Sequence, residues 1–585
     1  MLLRKLWNHL SKRRHNQFWL ILILMIITSL AEIVSLGSVL PFLGILTQPE
    51  LVFQHSLMQP IIKVFNITEP NQLILPLTIT FILAALLAGS IRLTLLYTMT
   101  RYSFATGADL SINIYQRTLY QDYAKHVSKN SSEVINVIIT KTNTVINETL
   151  APILMLISSL IILTGILSAL FIINVNLTLS AFIGFGLMYW GVIFFTKKQI
   201  KVNSEVIANQ STQMIKSLQE GLGGIRDVII NDSQKFYCGL YRIADLPLRR
   251  ASGNNRFISG SPRYAMEAIG MTFFAGIAFV ISQQVGGMSS AIPVLGALAL
   301  GAQRLLPALQ QAYSSYSTIK GAQSSLEDVI HLLEQPLPEY ALQNEDALSQ
   351  TPLKFEQEIK LTGLSFRYDH NTPWVLKDVN LSLNKGMRFG FIGATGSGKS
   401  TLLDIIMGLL QPTLGKIHID QTEINNQNCR AWQMHLAHVP QNIYLSDNTI
   451  EENIAFGVPK KQINHKQVKK AAKQAQIADL IEGWKNGYKT FVGERGIRLS
   501  GGQRQRIGIA RALYKKANVL IFDEATNALD NKTEKAVMEE IEGLDKELTI
   551  LIIAHRLTTL KSCDKIIKLD ENHIHTIGTY DELIK

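Results

Sequence analysis

The sequence predicts a multi-domain membrane protein, with an α-helical transmembrane domain followed by a soluble α/β domain. Three observations lead to this fold class. The 585-residue chain is 47% hydrophobic and only 18% charged, whereas soluble proteins carry about 25% charged residues. Long charge-free segments occur up to about residue 313. After about residue 353, strand-like and helix-like segments alternate as they do in α/β domains.

Six apolar segments are predicted to cross the membrane as helices. A helix needs about 20 residues to span about 30 Å of hydrocarbon, and a helix satisfies its own backbone hydrogen bonds there. One long charge-free run contains Asn174 and Asn176, which indicate a turn that divides it into two spans. The predicted spans are 18–46, 73–97, 150–173, 177–196, 265–285 and 291–313.

The charges that flank these segments predict their orientation. Residues 1–14 contain five basic residues and no acidic residue, and Lys197, Lys198 and Lys201 follow the fourth span. Cytoplasmic flanks carry an excess of lysine and arginine, so we expect both termini and the soluble domain in the cytoplasm. The first apolar segment is too long for a cleaved signal peptide. The net charge of +11 is therefore interpreted as membrane flanks, not as a nucleic-acid-binding surface.

Two long stretches between spans, 98–149 and 197–264, are predicted to continue the membrane helices into the cytoplasm. Glycines at 221, 223 and 224 predict a break after which a short transverse helix begins. The outside segment 50–65 is interpreted either as a short interfacial helix or as a structured loop. The predicted domains are the six-helix transmembrane domain 1–335, a linker 336–352 and the soluble domain 353–585.

A glycine-rich loop in the soluble domain predicts ATP binding. Residues 387–403 read MRFGFIGATGSGKSTLL, in which a strand leads into GxxxxGKST and then a helix. The backbone N–H groups of such a loop surround phosphate oxygens. Lys399 is predicted to bind the β- and γ-phosphates, and the Ser400 hydroxyl to bind Mg²⁺. The predicted ATP-binding residues of this P-loop are Gly393, Ala394, Thr395, Gly396, Ser397, Gly398, Lys399, Ser400 and Thr401.

An acidic pair predicts the catalytic centre of a P-loop ATPase. The buried-strand pattern of 519–522 ends in Asp523 and Glu524. A carboxylate at the C-terminal end of a strand is suitably placed to hold Mg²⁺, and its neighbour to polarise an attacking water. We therefore expect Asp523 to bind the metal and Glu524 to act as the general base.

A third motif narrows the family. Residues 499–503, LSGGQ, precede a predicted helix, and they resemble the signature loop of ABC transporters. The resemblance extends over essentially the whole chain, with six spans followed by one ATPase domain. It implies that two ATPase domains meet head to tail and that each signature loop closes on the γ-phosphate bound by its partner. A homodimer with a second identical subunit is the simplest such arrangement. The signature residues implied to bind ATP are Ser500, Gly501, Gly502 and Gln503.

Three further side chains match the ABC family. The resemblance implies that Tyr368 stacks on adenine and that Gln441 binds the metal and senses the γ-phosphate. It also implies that His555 is a switch residue on that phosphate.

Two longer segments match as well. Residues 527–530 (NALD) resemble the dimer-interface loop, and residues 490–496 (TFVGERG) resemble an exporter segment with Glu494 at its acidic position. Asn527 replaces a more usual serine, and Phe491 replaces a common glutamate. Neither position is implied to touch the metal or the attacking water, so hydrolysis is still expected.

The spans themselves carry a few charges that bear on the cargo. Arg92, Arg263 and Arg304 lie in or at the edges of apolar segments, where charged groups usually face a cavity or a partner. A cavity lined by arginine suits an anionic cargo, especially a phosphate. The alternative is structural pairing with Glu32 or Glu267, or snorkelling at a helix end.

The arrangement also resembles one branch of the ABC exporters, the bacterial lipid-linked oligosaccharide flippases. The resembling features are 32–41, the outside segment after the first span, 261–267 and 304–307. They imply ATP-driven export of a polyprenyl diphosphate-linked oligosaccharide across the bacterial inner membrane. A peptide or toxin exporter and a flippase of a lipid A-type glycolipid stay open as alternatives. The six spans exclude a soluble ATPase, and Glu524 with His555 disfavours a passive channel.

Overall fold

The computed structural model describes two compact units. The described residues are 1–585 except 48, 56–57, 60–61, 63–66, 174, 283–286, 339–340, 342–351, 526–528, 544–546, 554–556, 571 and 585. The first unit comprises Met1–Gln121 and Lys129–Pro338, and the second comprises Asp122–Ser128 and Glu339–Lys585. Most of the predicted linker 336–352 lies outside the described residues, and the predicted domain limits stay predictions.

The first unit consists of helices. Two π-helical turns, Val137–Lys141 and Ile146–Leu150, separate α6, α7 and α8, and a 3₁₀ turn, Pro70–Leu73, precedes α4. Helix α5 belongs to the second unit. In chain order the helices are α1 (Leu2–Asn8), α2 (Lys12–Thr47), α3 (Pro49–Gln54), α4 (Ile74–Leu119), α5 (Tyr123–Ser128), α6 (Ser131–Asn136), α7 (Thr142–Val145), α8 (Ala151–Ile173), α9 (Val175–Gly223), α10 (Ile225–Ile230), α11 (Gln234–Gly260), α12 (Pro262–Ser282), α13 (Gly287–Gly321) and α14 (Gln323–Leu333).

Three described stretches are long and apolar enough to cross a membrane. They are Lys12–Leu46, Pro70–Leu119 and Ser131–Ser168, and they overlap the first three predicted spans, although the second and third have different bounds. Leu86 and Leu93 of α4 are 64% and 68% exposed, as expected of a helix that is apolar around its circumference and faces lipid. The other three predicted spans fall on α9, α12 and α13, where many side chains lie outside the described set, and they stay predictions.

Two helices continue well beyond their predicted spans, and the cytoplasmic location of these extensions stays a prediction. Helix α4 continues to Leu119 and α9 continues to Gly223, each more than a turn beyond its predicted span. Helix α10 begins directly after Gly224, as the glycine break predicted. In the outside segment 50–65, α3 covers the first residues, whereas most of the remainder lies outside the described residues.

The N-terminal helix α1 packs on helices that lie far along the chain. Leu6, which is 3% exposed, belongs to a buried cluster with Leu110 and Ile114 of α4 and with Val329 and Ile330 of α14. Burial of this apolar face fixes α1 in the first unit. The sequence analysis did not predict α1, because seven residues are too few for a periodic pattern.

The second unit contains two sheets. One has the strand order β2–β1–β4–β5 with antiparallel pairing, and the other has the order β10–β9–β3–β8–β7–β6, in which the five strands from β9 to β6 are parallel. The strands are β1 (Glu358–Phe366), β2 (Leu376–Asn384), β3 (Arg388–Ile392), β4 (Leu414–Ile419), β5 (Thr422–Glu423), β6 (Leu436–Val439), β7 (Val519–Asp523), β8 (Thr549–Ile553), β9 (Lys565–Asp570) and β10 (His573–Gly578).

The inner strands β3, β7 and β8 of the parallel sheet are mostly buried. Every residue of β8 is buried, which is typical of a parallel strand covered on both faces. The helices are α15 (Lys399–Ile406), α16 (Cys429–Gln433), α17 (Ile450–Ile454), α18 (His465–Gln474), α19 (Ala478–Glu482), α20 (Gly501–Tyr514), α21 (Asn531–Glu542) and α22 (Tyr580–Ile584).

The parallel pairing brings three predicted site segments to one edge of the sheet. Because β3, β6, β7 and β8 run in the same direction, their C-terminal ends lie together. The P-loop follows β3, Gln441 follows β6, and Asp523 with Glu524 ends β7. Ligands of open α/β sheets bind at such an edge.

Candidate functional site

The P-loop requires glycine at its first position. Gly393 has φ 152°, and a Cβ atom there would lie 2.3 Å from the carbonyl oxygen of Leu569 and 2.8 Å from Ser397 Oγ. Gly398, with φ 90°, directly precedes α15. The loop therefore enters the helix through a left-handed residue, which only glycine adopts without strain, and its backbone turns tightly at the helix start.

The side chain of Lys399 folds back onto the first residues of this loop. Its Nζ donates to the carbonyl oxygens of Gly393 and Ala394 at 2.9 and 2.8 Å, and the residue is only 8% exposed. Burial lowers the pKa of Lys399, whereas the nearby carboxylates of Glu524 and Asp523 oppose that shift. The ammonium group is therefore oriented toward the point where the loop and the acidic pair meet.

The acidic pair contacts the residues that the sequence analysis assigned to the metal. Ser400 Oγ donates to Asp523 Oδ1 at 3.4 Å, and Gln441 Nε2 donates to Glu524 Oε2 at 2.6 Å. The structure thus brings Ser400, Gln441, Asp523 and Glu524 together, although Gln441 lies more than 80 positions from the acidic pair along the chain.

The acidic pair is also electrostatically and conformationally unusual. Burial raises the pKa of Asp523, and the like charge of Glu524 raises it further, against the opposing effects of Ser400 and Lys399. Glu524 has φ 51°, a left-handed conformation that is uncommon for a residue with a side chain and frequent at functional sites. Its N–H donates to the Ile553 carbonyl at 3.0 Å, which holds the residue at the end of β8.

Tyr368 lies beside the P-loop helix with its ring accessible. Its hydroxyl is 3.1 Å from Thr401 Oγ1, its ring packs edge-on against Phe366 at 5.1 Å, and the residue is 56% exposed. A ring that is anchored at one end and exposed on its face can stack on a planar base.

The signature loop is held by a capping box. Ser500 Oγ accepts from the N–H of Gln503 at 3.2 Å, and Gln503 Oε1 accepts from the N–H of Ser500 at 2.8 Å. These reciprocal bonds fix the start of α20. Gly501 and Gly502 follow the cap, and the first N–H groups of a helix have no partner within the helix.

Some predicted residues lie outside the described part. His555 and residues 527–528 of the dimer-interface loop are among them, and the side chain of Arg304 in α13 is also outside it. Asp530, at the end of the interface loop, is described and caps α21 by accepting from Thr533 N at 3.0 Å.

Two of the three predicted cavity arginines have acidic partners within the chain. Arg92 Nη1 lies 3.7 Å from Glu32 Oε1, and Glu32 is only 3% exposed. Arg263 Nε lies 2.7 Å from Glu267 Oε1, one helical turn away. The pairing that the sequence left as an alternative is therefore present in both cases.

Asp404 is a partly buried carboxylate near the acidic pair that the sequence patterns did not reveal. It lies on α15, is half-buried, and has a pKa raised to about 6 by burial first and by Asp523 second. Its only sequence signal is a single carboxylate in the otherwise apolar run that follows Lys399, and that signal alone does not reveal burial.

Two family models match the chain. The ABC transporter transmembrane region matches residues 17–298, and the ABC transporter domain, which carries the ATPase motifs, matches residues 376–527. Together they account for most of the chain. The chain belongs to the ABC transporter family. The resemblance inferred from the motifs is therefore confirmed, as is the order of a transmembrane domain followed by an ATP-binding ATPase domain.

Several curated proteins that are similar in sequence to this ABC transporter are flippases. The chain is 30% identical to an ATP-dependent lipid A-core flippase of Chromohalobacter salexigens over 67% of this chain and 66% of that protein. It is 29% identical to one of Saccharophagus degradans over 81% and 79%. It is 36% identical to one of Alkalilimnicola ehrlichii over 48% and 46%. In the first and third of these matches the chain spans less than two thirds of the relative.

A solved structure confirms the fold class of this ABC transporter. A bacterial Atm1-family ABC exporter with ATP bound superposes with a TM-score of 0.78 over 99% of this chain and 96% of that chain. The sequence identity is 23%, so the likeness shows the fold alone. The chain therefore has the ABC exporter fold.

Proposed function

We propose that the chain is one half of a homodimeric exporter that uses ATP hydrolysis to move a phosphate-bearing glycolipid across a bacterial inner membrane. The observation that carries the proposal is the convergence of Lys399, Asp523, Glu524 and Gln441 at one edge of the parallel sheet. The other unit of the same chain contains an ABC transmembrane region. We therefore propose that hydrolysis at this edge of the sheet drives transport.

ATP binding is assigned to the P-loop edge. The backbone N–H groups of 393–401 would bind the phosphates, and Lys399 Nζ would exchange its two carbonyl acceptors for phosphate oxygens. The exposed ring of Tyr368 would stack on adenine. Each contribution follows from a group that is already oriented by a neighbour in the same unit.

Mg²⁺ fits the residues at this edge. Burial and the adjacent Glu524 both raise the pKa of Asp523, so a divalent cation would relieve an unfavourable carboxylate pair. Hydroxyl, amide and carboxylate oxygens are ligands that Mg²⁺ prefers, and we propose Ser400, Gln441 and Asp523 for this role. When bound, the ion neutralises charge on the phosphate oxygens.

Glu524 is proposed as the general base. Its carboxylate would orient the attacking water and accept its proton, while the 2.6 Å bond from Gln441 holds the carboxylate in place. General bases contribute about 10²- to 10⁴-fold to rate. His555 is proposed to contact the γ-phosphate, so that hydrolysis changes its surroundings.

A second copy is proposed to complete each ATP site. The capping box leaves the N–H groups of Gly501 and Gly502 at the start of α20, where a phosphate is favourably bound. Two-fold symmetry would present the signature loop of each copy to the P-loop of the other.

The relatives favour a lipid A-type glycolipid over a polyprenyl diphosphate oligosaccharide as the cargo. Their names describe lipid A-core flippases, whereas the oligosaccharide hypothesis rests on short segments of the membrane domain. Both cargoes carry phosphate, so an arginine in the cavity suits either. Arg304 is the main candidate, because Arg92 and Arg263 already have acidic partners.

A paired transport assay tests the cargo. Purified protein is reconstituted into proteoliposomes that contain either a lipid A-type glycolipid or a polyprenyl diphosphate oligosaccharide at the same mole fraction. The proposal expects ATP-dependent transfer of the lipid A-type glycolipid between leaflets, at least about ten-fold faster than that of the oligosaccharide. The reverse preference would restore the oligosaccharide assignment. Transfer of neither, with ATPase activity retained, would favour a peptide exporter.

Arg304→Gln tests the proposed cavity residue in the same assay. Transfer should fall while basal ATPase activity is retained, since the change removes a phosphate-binding group from the cavity alone. Lys320→Gln is the matched control, because it removes one positive charge near the end of the same helix. Equal loss in both variants would remove Arg304 from the cavity assignment.

A further inference from the structure

The N-terminal segment carries five basic residues, and the structure divides them into two groups. Lys5 Nζ lies 2.9 Å from Glu334, and Arg14 Nε lies 2.7 Å from Asp109. Arg4, Lys12 and Arg13 are exposed and form no ion pair with an acidic residue in the described part of the chain. Lys5 and Arg14 therefore anchor the segment through ion pairs, whereas the other three basic side chains face solvent.

The same segment is fixed next to the first membrane span. Trp7 of α1 packs edge-on against His15 at 4.3 Å and against Phe18 at 4.9 Å, and Phe18 begins the first predicted span. Leu3 is 43% exposed and Trp19 is 56% exposed. Aromatic side chains of this kind are typical of the membrane–water boundary. Helix α1 is thus packed against the start of the first predicted span.

The local charge is positive even where the segment is partly buried. Burial lowers the pKa of His9, and the neighbouring Arg117 and Lys5 lower it further, although Glu334 opposes them. Lys5 already occupies Glu334, which also has a lowered pKa because of that hydrogen bond. The acidic residues here are thus engaged, and the three outward cations stay available to an external anion.

We infer that Arg4, Lys12 and Arg13 form a binding site for the head groups of anionic phospholipids in the cytoplasmic leaflet. The site is separate from the proposed cargo cavity and from the ATP site. Basic residues beside a membrane span are attracted to anionic lipid, and here Arg4 lies on the packed helix α1 while Lys12 and Arg13 begin α2, so none of them lies on a free tail. The positive-inside rule alone explains why the charges lie in the cytoplasm, but it does not require them to bind a particular lipid.

A local fluorescence measurement tests this site. Ser11, which is exposed between α1 and α2, is replaced by cysteine on a Cys238→Ser background and labelled with a small fluorophore. The full-length protein is placed in nanodiscs of 70% phosphatidylcholine and 30% phosphatidylglycerol, with bromine on either lipid in turn. After correction for mole fraction, we expect brominated phosphatidylglycerol to quench at least about ten-fold more effectively than brominated phosphatidylcholine.

Three variants separate charge from structure. R4Q/K12Q/R13Q should abolish the preference, and R4K/R13K should retain it because all three charges remain. K466Q/K469Q/K473Q removes three exposed lysines from α18 and should also retain it. Without any variant, raising NaCl from about 0.1 to 0.5 M should weaken the preference, since the Debye length shortens.

Two results would overturn the inference. Equal quenching by both brominated lipids in the unsubstituted background would mean that the basic residues serve only to orient the chain. A preference that survives R4Q/K12Q/R13Q would assign the lipid to another surface. The NaCl measurement tests the site even if the triple variant fails to fold, because it uses protein without these substitutions. A lipid preference that salt does not change would contradict an electrostatic site.

Discussion

The two units of this ABC transporter use charged side chains differently. In the second unit, Lys399, Asp523, Glu524 and Gln441 converge on one edge of a sheet, and their interactions leave like charges close together. In the first unit, two arginines of the predicted spans meet opposite charges, in the pairs Glu32–Arg92 and Arg263–Glu267. The phosphate site keeps charge that ATP and a cation would neutralise, whereas Arg92 and Arg263 are neutralised within the chain.

The largest effect is expected from replacing Glu524, the proposed general base of the phosphate site. Glu524→Gln keeps the size of the side chain but removes the carboxylate, so steady-state ATP hydrolysis should fall by about 10² to 10⁴ while ATP binding is retained. Glu423→Gln, an exposed change on β5 of the same unit, should hydrolyse like wild type. The measurement is phosphate release at saturating ATP. Wild-type hydrolysis by Glu524→Gln would remove Glu524 from the general-base role.

A second prediction concerns the part of the same site that is proposed to bind the adenine ring of ATP. Tyr368→Ala removes the exposed ring and should weaken ATP binding by about ten-fold, since stacking on a base contributes about 1–3 kcal/mol. Tyr368→Phe removes only the hydroxyl that lies 3.1 Å from Thr401 and should weaken binding by less than about three-fold. Binding of a fluorescent ATP analogue measures both. Equal losses would mean that the hydroxyl, not the ring, carries the interaction.

These two predictions depend on residues that the sequence identified, and the reason is physical. Phosphate binding requires a loop of consecutive N–H groups and a lysine at fixed spacing. This motif can therefore be recognised in the sequence, at residues 393–401. The parallel order of the sheet, also predictable as a class, then brings Gln441 to Glu524. By contrast, Asp404 and helix α1 depend on burial against distant segments, which no short pattern records.

A third prediction tests the pairing in the membrane unit. Arg92→Gln removes the cation beside the buried carboxylate of Glu32, so transport and the melting temperature in detergent should both fall. Adding Glu32→Gln removes the unbalanced charge, and the double variant should recover to within about two-fold of wild-type transport, because replacing both partners of a buried pair is far less costly than replacing one. Failure to recover would return Arg92 to the list of cargo-binding residues.

A smaller effect contrasts two aspartates of the ATPase unit. Burial raises the pKa of Asp404 to about 6, so its charge lowers stability above that pH, and this cost disappears as the pH falls toward the unfolded pKa. Asp404→Asn should therefore raise the melting temperature at pH 7.5 and change it little at pH 4, in the absence of nucleotide and Mg²⁺. A lower melting temperature at pH 7.5 would contradict the burial argument.

Asp420 is the matched control with the opposite sign. Although burial opposes it, three backbone N–H donors from Glu356, Gln357 and Glu358 lower its pKa. Its contribution to stability is present above the unfolded pKa and is lost as the pH falls through the folded pKa. Asp420→Asn should therefore lower the melting temperature at pH 7.5, and the difference should shrink in acid.

The smallest expected effect concerns the exposed pair on α12. Arg263 and Glu267 are one turn apart and both side chains are about half exposed, and such surface pairs contribute little. Arg263→Gln should change the melting temperature by less than about 1 °C and transport by less than about two-fold. A large loss of transport at unchanged stability would show that Arg263 acts on the cargo after all.

Coupling between ATP hydrolysis and transport is measured by following hydrolysis and glycolipid transfer in one proteoliposome preparation. Wild type, Glu524→Gln and Glu423→Gln are compared with and without ATP. We expect wild type and Glu423→Gln to transfer the lipid A-type glycolipid only with ATP, and Glu524→Gln to bind ATP but to sustain neither hydrolysis nor transfer. Transfer without ATP, or undiminished continuous transfer by Glu524→Gln, would contradict an exporter driven by hydrolysis at this site.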